Sequence, residues 1–118
     1  MRDYQKLEVW KKAHLMVLFV YSDVLPLFPL SEKYDLYSQV KRAAYSVPLN
    51  IAEGAGRNSD MDFARFLDMP LGSCHDAEYA CLLAKDLRYL NEEKHQEINN
   101  KTNEVKAMLI GLLKRLRK

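Results

Sequence analysis

Residues 40–56 read VKRAAYSVPLNIAEGAG, and their apolar side chains recur at the three- and four-residue spacing of an amphipathic helix. Pro48 falls inside this apolar stripe, where it removes one backbone donor and bends a helix without necessarily ending it. Gly54 and Gly56 favour the end of the helix, because glycine is common just beyond the last helical turn. The stretch therefore predicts a helix from Ser31 to about Ala55 that packs through one face.

The preceding segment, about residues 7–25, is also helical by its apolar period, and it is apolar on every side between Leu15 and Val20. Pro26 and Pro29 end it, because proline disfavours continued helix at and before its own position. One apolar stripe would be enough for the core of a single bundle. We therefore expect this helix to contact a second subunit as well.

Two further helices follow, each with its own capping residue. Ser59 can cap a third helix, expected to run as one bent helix to Leu90, with two shorter helices divided near Pro70 as the alternative. Asn91 can cap a fourth helix, whose apolar residues recur at a 3-4 spacing to Leu116. These starts leave connections of only a few residues between the helices.

Short connections between long helices make neighbouring helices antiparallel. No stretch of useful length alternates apolar and polar residues, so a sheet is not expected. We therefore predict an all-α protein, an antiparallel up-down-up-down four-helix bundle, as a single domain over residues 1–118.

Composition sets limits on location and partners. The 118 residues carry a net charge of +2, which is too small by itself to argue for nucleic-acid binding. The longest apolar run, residues 15–21, is too short to span a bilayer, and the opening residues lack a signal-peptide pattern, so we expect a cytoplasmic protein with no membrane contact. Cys74 and Cys81 are seven residues apart on a helix, about 10 Å, so they cannot pair with each other.

A polar arc on the second helix is the candidate functional site. Its members fall within about 80° of one another on a helical projection, beside the apolar stripe: Arg42, Ser46, Asn50, Glu53 and Arg57. Glu53 can pair with Arg57, and Asn50 can bond Glu53. The arc is either a contact site for a ligand or nucleic acid, or a hydrogen-bonded network that clamps the helix to a neighbour or to another subunit.

Patterns typical of enzymes and metal proteins are weak. A di-iron bundle needs two Glu-x-x-His motifs, whereas this chain has one, Glu92 to His95, at the start of the last helix. Ser73 and His75 face different directions on a helix, and no phosphate loop or dinucleotide fingerprint occurs. We therefore expect no catalytic centre, no cofactor, no metal and no small-molecule substrate.

Three groups of motifs then identify a family resemblance: YxxLxVWxKA at residues 4–13, FPxxExYxLxxQxxRAAxSVPxNIAEGxGR at residues 28–57, and FxxFL, GS and LAxxLxYL between residues 63 and 90. They resemble the bacterial four-helix-bundle proteins that are encoded in intervening sequences of 23S ribosomal RNA genes. The chain departs from that pattern at Asp35 and Arg88, where a glycine is usual, and at Pro70, where a small helix former is usual.

The resemblance implies an antiparallel bundle that assembles into a homopentamer and has no enzymatic activity. Our first hypothesis is a non-catalytic oligomer that contacts RNA or a ribosome-related nucleoprotein. The alternative is a structural module that docks another protein and never touches nucleic acid.

Overall fold

The computed structural model describes residues 2–32 and 35–118, and within them it contains four long α-helices and no strand. The helices are α1 (Glu8–Phe19), α2 (Leu36–Ala55), α3 (Asp60–Asp86) and α4 (Glu92–Leu116). The all-α fold class is confirmed. No helix in this part of the chain combines the length and the apolar character needed to cross a membrane. Tyr34 of the central motif lies outside the described residues.

Each helix packs against the next one in the chain, and α4 closes the bundle against α1. Lys12 pairs with Glu104 at 3.0 Å, while Asp23, further along the chain, pairs with Lys94 at 3.1 Å. Because the partners on α4 move backwards as the first segment advances, these two segments run in opposite directions. The result is an elongated molecule of 44 × 22 × 20 Å.

The core runs along the bundle axis and is contributed by every helix. Its largest fully buried side chains include Met16, Ile51, Phe63, Leu67, Ile98 and Leu109. Burying each such side chain is worth about 1.5–3 kcal/mol, so the core dominates the stability of the fold. Thr102 is buried as well, and its hydroxyl donates to the carbonyl oxygen of Ile98 at 2.8 Å, which satisfies the polar group.

Both predicted helix caps are present. The Ser59 hydroxyl accepts from the Asp62 backbone N–H at 3.1 Å, and the Asn91 side-chain oxygen accepts from the Lys94 N–H at 2.8 Å. Each bond satisfies one of the backbone donors that a helix start leaves unpaired. The starts of α3 and α4 therefore follow directly from the identity of one residue each.

The start of α2 was predicted five residues too early. Residues Leu30–Glu32 form a separate 3₁₀ turn, and α2 begins at Leu36 instead of Ser31. The carboxylate of Glu32 accepts from the Leu36 N–H at 3.4 Å, so the turn contributes an acceptor to the start of α2. Within α2 the helix continues through the buried Pro48, as expected.

The third segment is one helix through Pro70, so the alternative of two shorter helices is wrong. It ends at Asp86, before the predicted Leu90. Arg88 has a φ of 67°, and Tyr89 N–H bonds to the carbonyl of Ala84 at 2.9 Å. This is the hydrogen-bond pattern of a Schellman motif, in which a left-handed residue reverses the chain and ends the helix.

The first segment changes its winding before it ends. After α1, residues Val20–Val24 form a π-helix, and residues Leu25–Leu27 form a 3₁₀ turn that contains Pro26. The wider π-helix keeps both Val20 and Val24 buried. Asp23 also lies in the π-helix, where its hydrogen bonds to Ser22 and Lys94 lower the pKa of its carboxyl group.

Candidate functional site

Four residues of the predicted polar arc lie on α2, and the fifth, Arg57, lies just beyond its end at Ala55. Arg42, Glu53 and Arg57 are exposed, whereas Ser46 and Asn50 are half-buried. The arc is therefore open to solvent in the single chain, as a contact site requires.

The two half-buried members of the arc bond to their own helix. The Ser46 hydroxyl donates to the Ala43 carbonyl at 3.0 Å, and the Asn50 amide donates to the Ser46 carbonyl at 2.8 Å. The expected bond from Asn50 to Glu53 is not formed among the described residues. These bonds fix the side chains on the helix and do not clamp it to a neighbour.

Arg57 extends the arc towards α3. Its guanidinium carbon lies 4.0 Å from the centroid of the Phe66 ring on α3, within the range of a cation–π interaction. In the described part of the chain Glu53 makes no ion pair, so the expected Glu53–Arg57 pair is absent. Arg57 itself is exposed, so its guanidinium group remains accessible to solvent.

A second guanidinium is held in the same way at this end of the bundle. Arg2 lies 4.6 Å from the Phe63 ring centroid, and it also pairs with Asp60. Its Nη1 donates to the Arg57 carbonyl at 3.3 Å, which ties the N-terminal segment to the loop after α2. Neither aromatic contact was visible in the sequence, because both partners are distant along the chain.

The lysines and arginines differ in whether a carboxylate neutralises them. Eight of those in the described chain form ion pairs, for example Arg65 with Asp62 and Lys106 with Glu78. Among the described residues, two groups have no such partner: Lys41 and Arg42 on α2 with Arg57 just after it, and Lys114 and Arg115 on α4 with Lys118 just after it. The second group lies at the negative end of the α4 dipole, which positive charge stabilises, and Arg57 lies at the same end of α2. Lys41 and Arg42 lie in the first half of α2 and have no such role.

The outward face of α1, together with the start of the π-helix that follows it, carries large exposed apolar side chains. Leu15 is 55% exposed, Leu18 is 50% exposed and Tyr21 is 45% exposed. The core residues of this segment are Val9, Ala13, Met16, Val20 and Val24. One apolar face of this segment is therefore buried in the core, and a second apolar face is exposed in the single chain.

Beside this face, the junction of α1 and α2 forms an open groove of about 300 Å³. Trp10 and His14 lie one turn apart and their rings stack, with centroids 4.9 Å apart and an angle of 8° between the planes. The Tyr4 and Trp10 rings form a T-shaped contact with their centroids 5.0 Å apart. Tyr45 and Leu49 of α2 also line the groove. We refer to these five residues as the aromatic groove. The i,i+4 spacing of Trp10 with His14 and of Tyr45 with Leu49 was the sequence signal for it.

The two residues of the Glu-x-x-His motif have different surroundings. Glu92 pairs with Lys85, while His95 lines an open groove together with His75 of α3. No group of three or more His, Cys, Asp or Glu side chains in the described chain is placed to hold a metal ion. Burial raises the pKa of the Cys74 and Cys81 thiols to about 12, so neither is a nucleophile at neutral pH.

Comparison with known proteins identifies a family and a similar solved structure. The family model described as 23S rRNA-intervening sequence protein matches residues 5–111. A crystal structure of a protein of unknown function from the S23 ribosomal protein family of Bacteroides thetaiotaomicron is 24% identical, with a TM-score of 0.82, and the match covers 90% of this chain and 98% of that one. At that identity the likeness shows the fold. No curated protein matches the chain.

Proposed function

The chain belongs to the family of 23S rRNA-intervening sequence proteins, and from that premise we propose that it is a non-catalytic, self-associating protein that binds RNA. The observation that carries the proposal is the set of cations on and directly after α2 that pair with no carboxylate of the described chain, Lys41, Arg42 and Arg57. Elsewhere in the described bundle many cations are already neutralised by carboxylates. A cation without an acidic partner is free to neutralise a phosphate.

The arrangement on α2 fits a phosphate backbone better than a small anion. Arg42 lies thirteen residues before the end of α2 at Ala55, about 20 Å along the helix, and Arg57 lies just beyond that end. That distance suits an extended polyanion and is too long for one phosphate group. Self-association multiplies the effect, because a +2 charge on each copy sums over the assembly.

The test is the salt dependence of binding to a fluorescently labelled RNA stem-loop, measured by anisotropy between about 50 and 200 mM salt. We expect Arg42→Ala with Arg57→Ala to weaken binding and to reduce the slope of log affinity against log salt by about 2, since each lost phosphate contact reduces it by about 1. The matched control is Arg65→Ala, which removes an equally exposed charge that already pairs with Asp62.

Two results would contradict the proposal. One is the absence of stem-loop binding at the lowest salt concentration. The other is an equal effect of the control and the double variant, which would mean that the α2 cations have no special role. If Arg42→Ala or Glu53→Ala instead dissociates an oligomer, as measured by sedimentation velocity, the arc is an assembly network.

The exposed leucines of α1 favour a second candidate function, a protein-interaction module with no nucleic-acid contact. Leu15 and Leu18 are each at least half exposed, and contiguous apolar surface of this kind marks protein interfaces. The two candidates differ in one measurement. The module would self-associate normally and show no salt-dependent affinity for RNA.

A further inference from the structure

We propose that the aromatic groove, Tyr4, Trp10, His14, Tyr45 and Leu49, stacks an unpaired base of the RNA, so that the protein prefers single-stranded to fully paired segments. This inference rests on the proposed RNA binding and adds the class of RNA that is recognised. The groove adjoins the polar arc, since Tyr45 lies one helical turn from Arg42, and residues of α1 and α2 line it together.

The first argument is the geometry of the rings. The Trp10 and His14 rings are nearly parallel, with 8° between their planes, and the Tyr4 ring packs against Trp10 in a T-shaped arrangement. Both Tyr45 and His14 are exposed, and the groove between them is open. An ordered aromatic surface that remains open to solvent is the feature on which proteins stack the bases of single strands.

The second argument is charge. No acidic side chain of the described chain lines the groove. Lys41 and Arg42 precede Tyr45 by one helical turn, and neither pairs with a carboxylate in the described residues. A base entering the groove would therefore bring its phosphate towards cations that have no other partner.

The same charges disfavour a two-fold pairing of this patch with itself. In a two-fold interface the same patch faces itself, so Lys41 and Arg42 would approach their own counterparts. Like charges brought together across an interface oppose association. An anionic ligand is the partner that this patch complements.

The experiment uses the fluorescence of Trp10, which is the only tryptophan in the chain. The probes are a single-stranded RNA of about twelve nucleotides and a fully paired duplex of the same composition. We expect the single strand to quench the emission of Trp10 and to bind more tightly than the duplex. Since stacking on one aromatic side chain is worth about 1–3 kcal/mol, Tyr45→Ala should weaken single-strand binding by about 5- to 100-fold.

Tyr79→Ala is the matched control, because Tyr79 is 65% exposed on α3 and lies outside the groove. Circular dichroism and the thermal midpoint establish that both variants remain folded. We expect the control to bind the single strand as the unchanged protein does, with the same quenching of Trp10.

The failures can be told apart. If the labelled stem-loop binds but Trp10 emission does not change and Tyr45→Ala binds normally, the groove inference is wrong and the proposed function stands. If neither RNA binds at low salt, both are wrong. If Tyr45→Ala lowers the mass of the assembly and leaves single-strand affinity unchanged, the groove is an interface between copies and the inference is wrong.

Discussion

At the scale of single residues, Arg88 occupies a backbone position that favours glycine. It is the one non-glycine residue of the described chain with a positive φ, 67°. The Schellman motif that ends α3 places it in the left-handed region, which costs an L-residue about 1–2 kcal/mol and costs glycine almost nothing. The resemblance to the family already indicated a glycine here, so the structure gives the physical reason for that pattern.

We therefore expect Arg88→Gly to raise the free energy of unfolding by about 1 kcal/mol, because it removes the strain at this φ. Arg88→Ala is the control, since it removes the same exposed side chain and keeps a Cβ in the left-handed conformation. Urea denaturation followed by circular dichroism measures both. Equal stability of the two variants would mean that Arg88 is not strained.

At the scale of helices, Gly54 determines how closely α2 approaches α3. A Cβ at this position would lie 3.0 Å from Cδ1 of Phe63 and 3.0 Å from Cβ of Phe66. Real Cβ atoms are rarely this close to other heavy atoms, so a neighbouring helix would have to move. Gly72 in α3 is different, because a Cβ there would meet no atom within 4 Å.

Gly54→Ala should lower the free energy of unfolding by about 1–3 kcal/mol through overpacking. Gly72→Ala should raise it by about 0.5–1 kcal/mol, because alanine is the better helix former and the site has room. The two substitutions have the same chemistry, so their opposite signs in urea denaturation isolate the helix contact. A gain in stability for both would show that α2 and α3 do not meet closely at Gly54.

At the scale of helices, some boundaries follow from the sequence and others do not. Ser59 and Asn91 predicted the starts of α3 and α4, since a cap is a bond between residues three apart. The π-helix at residues 20–24 and the early end of α3 were not predicted, because they depend on packing and on backbone conformation. Spacing placed Arg42, Ser46, Asn50 and Glu53 on one helix, but it did not predict the partner of Arg57. Phe66 lies on another helix, and spacing within one helix carries no information about it.

At the scale of the whole molecule, the outward face of α1 is the feature that a single chain leaves unsatisfied. Leu15 and Leu18 lie on the outer side of α1, and no helix of the described bundle covers them. Such side chains gain about 25 cal/mol for each Å² removed from water, which favours a second copy at sufficient concentration. The pentamer that the resemblance implies remains a prediction, and its most direct test is this face.

We expect the unchanged protein to sediment as an oligomer at micromolar concentration, with a mass about five times that of the chain if the implied pentamer forms. Leu15→Gln with Leu18→Gln should shift the distribution towards the monomer, because the polar amides remove the apolar gain on association.

Met61→Gln is the control, since Met61 is 82% exposed at the start of α3, away from this face. A monomer at all concentrations would refute self-association, and a full oligomer in the double variant would place the contact on another surface. Because the substitutions lie outside both the α2 arc and the aromatic groove, stem-loop binding by the dissociated variant would further show whether one bundle is sufficient to hold RNA.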